Sequence, residues 1–293
     1  MLCWGTVNAS TLIELIEAAG AAGFRSISVS PRLYEATRVA GVNDGSVRDV
    51  LESYDVRVAV IEPLLNGLPG SHTPESAPPL HRTLYQFTED YCYAMAESIG
   101  AEKISLSHFL GTPVPVSAMI DAVGPIVSRA RQRGFAICIE FIPDTGIDNL
   151  ATARQIYDAV ADNHLGVMLD AWHFARSGGS LDQLVGLPPG MISVVQLCDR
   201  IEPEPGAAYV PMAGRLLPGE GELPLVEIVR AIEATGYRGT YDNEYMYDPA
   251  AAAAEPGEFA PEPVVDRCAR ALVRVLQEAE ITVPVATGGS DGG

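Results

Sequence analysis

Basic residues are scarce in this chain: 19 Lys and Arg stand against 38 Asp and Glu, for a formal net charge of −19. That balance opposes any phosphate backbone, which needs a basic footprint, so nucleic acid is not expected as a partner. The charge reads instead as an acidic, solvated surface. Long apolar runs are also missing, and none reaches the roughly 20 residues of a membrane-spanning helix, so no membrane partner is expected. Met1-Leu2-Cys3-Trp4-Gly5 has no basic stretch leading an apolar one, which argues against a secretory signal. Cysteine is sparse: Cys3, Cys92, Cys138, Cys198 and Cys268 are odd in number and form no C-x-x-C. A disulfide framework and a zinc–thiolate centre are thereby disfavoured, and a cytoplasmic location is expected. No G-x-G-x-x-G follows an early strand, which weakens the case for a doubly wound dinucleotide-binding sheet.

What the sequence does contain is an alternation. Short apolar segments recur at Cys3–Thr6, Phe24–Ser30, Val56–Ile61, Lys103–Ser107, Phe135–Ile139, Leu165–Leu169, Met191–Val195 and, more weakly patterned, Gly239–Asn243. Helical stretches separate them: Ser10, as N-cap, through Ala22; Val47–Tyr54; Leu80–Ile99; Ser117–Arg133; Asn149–Ala161; Leu181–Leu187; Pro224–Thr235; and Pro263–Ala279. Short apolar strands between amphipathic helices are the mark of a parallel sheet covered on its outer face. Eight such units in one chain predict an α/β protein with a single (β/α)8 TIM barrel, a catalytic domain over 1–280 with a flexible tail over 281–293. Two Pro/Gly/Ala-rich loops, Glu202–Leu223 and Met246–Pro263, follow the seventh and eighth predicted strands, on the side where a lid would sit.

Four oxygen-donor side chains terminate four successive predicted strands: Glu140, Asp170, Gln196 and Glu244. In a closed barrel these strand ends converge on the rim that carries active sites. Three carboxylates and an amide would repel one another there without a cation. All-oxygen donors suit Mn²⁺ or Mg²⁺, with Co²⁺ or Zn²⁺ as alternatives. A carbonyl held at such a metal is polarised and its neighbouring C–H acidified, and Glu140 or Glu244 can then move the proton. His173 lies one short turn beyond Asp170 and is expected in the same cavity. His108 and Glu62 end the fourth and third predicted strands, Arg215 sits in the first long loop, and Trp172 is a candidate wall of the pocket; these four are read as substrate contacts. Asp199 and Arg200 are read either as a mutual ion pair or as supports for Gln196.

These motifs resemble the xylose isomerase-like TIM barrels, the sugar phosphate isomerase/epimerase superfamily. The resemblance rests on Ile139-Glu140-Phe141, Leu169-Asp170-Ala171-Trp172-His173, Val195-Gln196-Leu197-Cys198-Asp199, Arg215-Leu216-Leu217-Pro218-Gly219-Glu220-Gly221 and Asn243-Glu244. It implies that Asp170 binds metal, that His173 and Arg215 reach substrate, and that Glu244 is both ligand and acid/base. Many relatives carry His where Gln196 stands; Gln there is similar to the pattern of 3-dehydroshikimate dehydratases. The function expected is a divalent-metal-dependent isomerase or epimerase acting next to a carbonyl on a small polyhydroxylated substrate. A metal-dependent dehydratase of the 3-dehydroshikimate or inosose type is the first alternative and a non-catalytic sugar-binding barrel the second. Oligomerisation is left open.

Overall fold

The computed structural model describes residues 1–9, 11–202, 214–247, 252–253 and 260–283. Seven strands form one sheet in chain order: β1 (Ser26–Val29), β2 (Arg57–Leu64), β3 (Lys103–Ser107), β4 (Ala136–Glu140), β5 (Leu165–Asp170), β6 (Ile192–Leu197) and β7 (Thr240–Asn243). Every neighbouring pair is parallel. The ring closes at Leu2, which bridges in parallel to both Ile27 and Asn243. Its N–H donates to the Ser26 carbonyl at 3.0 Å, and the Asn243 N–H donates to the Met1 carbonyl at 3.0 Å. This is the (β/α)8 barrel expected, with one correction: the strand placed over Cys3–Thr6 shrinks to a bridge at Leu2. The chain turns immediately after it, the Thr6 N–H donating to the Cys3 carbonyl at 3.2 Å.

Helices clothe the ring because their apolar residues recur every three or four positions. Pro261–Glu278 buries Val264, Val265, Cys268, Ala271, Leu272, Val275 and Leu276, one stripe down five turns. The continuous helix expected over Leu80–Ile99 is instead a 3-10 turn, Arg82–Gln86, followed by a helix at Glu89–Ile99. Thr88 starts the second piece, its side chain accepting from the Tyr91 N–H, as a hydroxyl N-cap does. Among the described residues, the helices Pro31–Val39 and Ala171–Arg176 had no counterpart in the sequence pattern. Thr11 caps the first helix, Leu12–Ala21; Ser10, given that role above, lies outside the described residues. So do 203–213, 248–251 and 254–259, which hold half of the first long loop and more than half of the second, and 284–293 of the tail.

The period of two along each strand sorts the barrel interior into layers. Val60, Cys138, Met168 and Val194 belong to a small apolar cluster of their own, apart from the main core. Two residues further along each strand stand Glu62, Glu140, Asp170 and Gln196, all buried. An apolar layer thus supports a polar one at the carboxyl ends of the strands. All five cysteines are buried and free. Among the described residues, no helix is long and apolar enough to cross a membrane.

Candidate metal centre and cavity

Sheet register brings the polar layer together. Asp170 pairs with Gln196 and Gln196 with Asp242 across β5, β6 and β7, while Ser107 pairs with Glu140 across β3 and β4. Glu244 follows Asp242 by two residues and therefore returns to the same face. One cavity above this layer is lined by Glu62, Ser107, Glu140, His173, Arg215 and Glu244, with an apolar wall that includes Trp4, Phe109 and Met246.

Ligand atoms of Glu140, Asp170 and His173 all lie within 4.8 Å of one another. His173 Nε2 stands 3.5 Å from Glu140 Oε1 and 3.4 Å from Asp170 Oδ2. The Ser107 hydroxyl donates to Glu140 Oε2 at 2.6 Å. Arg215 spans the remaining carboxylates, donating to Asp170 Oδ2 at 2.7 Å and to Glu244 Oε2 at 2.9 Å. Its guanidinium carbon rests 4.7 Å from the centre of the Trp172 ring, a cation–π stack that orients the fork. Gln196 turns its amide nitrogen away, donating to Glu62 Oε1 at 2.9 Å and to Asp242 Oδ2 at 3.3 Å.

The electrostatics follow from burial. Burial, then the charge of Asp242, lifts the Glu62 carboxyl to about 7. Burial, then the charge of Glu62, lifts Glu140 to about 8. Burial likewise raises Asp242 to about 7 and pushes Glu244 well above the carboxylate range despite Arg215. Burial also presses on Asp170, but Arg215 and His173 outweigh it and hold that carboxyl below its ordinary value. Burial lowers His173 to about 4, so its imidazole is neutral near pH 7. Five buried carboxyl groups thus face one buried guanidinium, a distribution that a divalent cation would relieve.

Several buried polar atoms here have no hydrogen-bond partner: Gln196 Oε1, Glu62 Oε2, Asp242 Oδ1 and His173 Nδ1. Such atoms are costly unless something completes them. Carboxylate and imidazole atoms of Glu140, Asp170 and His173 lie close enough together to hold a metal ion, as do those of Cys3, Glu62 and Asp242, and the unpartnered Gln196 oxygen is a donor of the same kind. Arg215 already bonds the Asp170 and Glu244 carboxylates, so a cation held by those two residues would share their negative charge with it.

Of the residues expected at substrate, Glu62 and Arg215 line the cavity, and Trp172 packs beneath the Arg215 guanidinium. His108 is a different matter, because it is not among the lining residues. Its Nδ1 accepts from the Gly146 N–H at 2.9 Å, and the ring fills the space where Gly111 carries no Cβ. Its ring is buried and packs against Gly111 and Gly146, and neither His108 nor Trp172 lines the cavity. Asp199 neither pairs with the Arg200 side chain nor touches Gln196. It accepts from the N–H groups of Arg200, Gly219 and Leu223 at 2.8, 3.0 and 2.9 Å, while the Arg200 guanidinium goes to Glu202 at 2.6 Å. Asp199 thereby shapes the loop that begins at Arg215. Asp242 and Ser107 are site residues the sequence reading passed over; the period of two that placed Glu244 also places Asp242.

The chain belongs to the xylose isomerase-like TIM barrel family, whose model matches residues 16–262. Inosose isomerase of Halalkalibacterium halodurans is 25% identical over 117 residues, 39% of this chain and 41% of that protein. The match thus spans about two-fifths of that curated relative. The IolI protein, solved with a binding zinc atom, superposes with a TM-score of 0.78 at 15% identity over 94% of this chain and 98% of that one. The probable 3-DHS dehydratase AsbF of petrobactin synthesis from Bacillus anthracis gives 0.66 at 15% identity over 93% and 97%. At these identities the two structures share the fold with this chain.

Proposed function

We propose that the protein is a divalent-metal-dependent isomerase or epimerase that moves a proton next to a carbonyl on a small, polyhydroxylated substrate. The observation that carries this reading is the placement of Glu140 and Glu244. They stand at the ends of β4 and β7, three positions apart round the barrel, and line one cavity. Asp170 and Gln196 lie on the two strands between them. A substrate held there would offer opposite faces of one carbon to the two carboxylates.

A divalent metal at Glu140, Asp170, Gln196 and Glu244 would supply Lewis-acid polarisation of the substrate carbonyl. The protein's own groups divide the rest. The Ser107 hydroxyl holds Glu140 Oε2 and leaves Oε1 as the oxygen that faces a C–H bond. Arg215 neutralises charge at Asp170 and Glu244 and presents a fixed fork to substrate oxygens. His173, neutral and near both Glu140 and Asp170, can donate through Nε2 to a developing oxyanion. Trp4, Phe109 and Met246 give the cavity an apolar side that excludes water. Inosose isomerase, the name of the curated relative, makes cyclic and open-chain ketoses the first substrates to try.

A second reading, a carbon–oxygen lyase, draws on Gln196 and on the likeness to AsbF. Loss of a β-hydroxyl from the same enolic species would give dehydration instead of reprotonation. One assay separates the two. Protein loaded with Mn²⁺ is incubated in D₂O with inososes, ketohexoses and 3-dehydroshikimate and followed by NMR. Deuterium entering beside the carbonyl without loss of water supports the isomerase, and an alkene or aromatic product supports the lyase. Neither signal with any substrate, from protein that has bound metal, counts against both.

A further inference from the structure

Gln196 poses a problem of direction. An amide offers a metal either its oxygen, a good ligand, or its NH₂ group, which repels a cation. Nothing in the covalent chemistry of the residue chooses between them, since a half-turn about the last torsion exchanges the two ends at little cost. The choice must come from neighbours. Here Nε2 lies 2.9 Å from Glu62 Oε1 and 3.3 Å from Asp242 Oδ2, and a carboxyl oxygen that carries no proton only accepts hydrogen bonds; any proton has the other oxygens, Glu62 Oε2 and Asp242 Oδ1, to sit on. Oε1 is buried and has no partner. Asp242 stands across the sheet from Gln196 in register, and Glu62 reaches it from β2 on the far side of the ring. Two acceptors from different strands thus grip one end of the amide and leave the other end unfilled.

We infer that Glu62 and Asp242 are positioning residues that lock the Gln196 amide with its oxygen free for a divalent cation. They make an otherwise ambiguous side chain an oxygen ligand. This rests on the metal reading above and adds to it a role for two carboxylates that need not touch metal or substrate. It also gives Glu62 a function distinct from the substrate contact expected from the sequence. Neighbours that orient a metal ligand are typically worth about 10- to 100-fold in metal affinity.

The test is Mn²⁺ affinity, read by electron paramagnetic resonance titration of the full chain. Glu62→Gln and Asp242→Asn are measured separately, in the native background and again in Gln196→Glu. Each replacement keeps the shape of the side chain and gives the Gln196 oxygen a rival donor, so the amide is free to turn over. In the native background each is expected to weaken Mn²⁺ binding by about 10- to 100-fold. In Gln196→Glu the ligand has two equivalent oxygens and no wrong end, so the same replacements leave affinity unchanged or tighten it by relieving repulsion. Equal losses in both backgrounds would overturn the inference, because they would reflect lost charge rather than lost orientation. So would undiminished binding in the native-background variants. No Mn²⁺ binding by the unsubstituted protein would overturn the metal reading itself, and this inference with it.

Discussion

Replacing Arg215 by Met tests how charge is shared at the centre of the barrel. The guanidinium is buried and bonded to both Asp170 and Glu244, at 2.7 and 2.9 Å. Met keeps most of the side-chain length and removes the charge. Breaking a buried ion pair from one side costs about 3–5 kcal/mol, because the partner is left charged without compensation. For a domain of this size each kcal/mol is worth about 2–4 °C in melting temperature, so the metal-free variant should melt about 6–20 °C below the native protein. A divalent cation can take over the neutralisation of the same two carboxylates. Saturating Mn²⁺ should therefore raise the melting temperature of Arg215→Met more than that of the native protein. Differential scanning fluorimetry of both proteins, after chelation and after Mn²⁺ loading, gives the four values required. An equal Mn²⁺ increment in both would refute the shared-charge argument, as would a metal-free variant as stable as its parent.

Four further outcomes are expected. In the metal-free protein, Glu62, Glu140 and Asp242 titrate at about 7, 8 and 7, above their unfolded values. The stability they contribute is complete below about pH 4 and is lost as pH rises through about 7 to 8; His173, lowered to about 4, and the Met1 amine, lowered to about 6, act the other way but are outnumbered by the raised carboxyls. Thermal melts should fall from pH 5 to pH 8 after chelation and flatten with Mn²⁺, and a melt that rises over that range without metal would contradict the assignment. Gln196→His should shift metal preference towards Zn²⁺ while keeping the site filled, checked by elemental analysis after competition between Mn²⁺ and Zn²⁺. His108→Ala should lower the melting temperature and leave KM unchanged, since the ring packs against Gly111 and Gly146 outside the cavity; a large KM effect would return it to the site. Glu140→Gln and Glu244→Gln should each retain metal yet lose about 10²- to 10⁴-fold in turnover, the usual worth of a general acid–base step, compared by solvent hydrogen exchange into substrate.

How far the sequence exposed this site depended on how local each signal was. Glu140, Asp170 and Gln196 each close a β-patterned apolar run, so period and position were readable without a fold. Glu244 follows Thr240-Tyr241-Asp242-Asn243, where polar residues blur the alternation. That blur concealed Asp242, the partner of Gln196 two residues earlier. Arg215 was recognisable as a loop residue but not as the counter-charge of Asp170 and Glu244. Its place depends on Asp199 gathering the N–H groups of Gly219 and Leu223, contacts spanning 20 and 24 residues. The surroundings of His108 were not legible because the end of a strand says nothing about the turn that follows; the Gly146 N–H reaches its ring from 38 residues away. The Leu2 bridge was displaced by one residue from its expected strand because closure of a barrel is a property of the whole ring. Pro31–Val39 was overlooked for a related reason: its buried residues, Pro31, Leu33, Tyr34 and Thr37, are too few and too mixed to declare a helical stripe.

The central claim is metal-dependent proton transfer at the carbon beside a carbonyl, and deuterium wash-in tests it most directly. Native protein freed of metal and native protein reloaded with Mn²⁺ are incubated in D₂O with the same inosose and ketohexose substrates. Incorporation at that carbon is expected from the loaded protein alone, abolished again by chelation. Equal incorporation by both forms, or none from Mn²⁺-loaded protein that turns these substrates over, would contradict it.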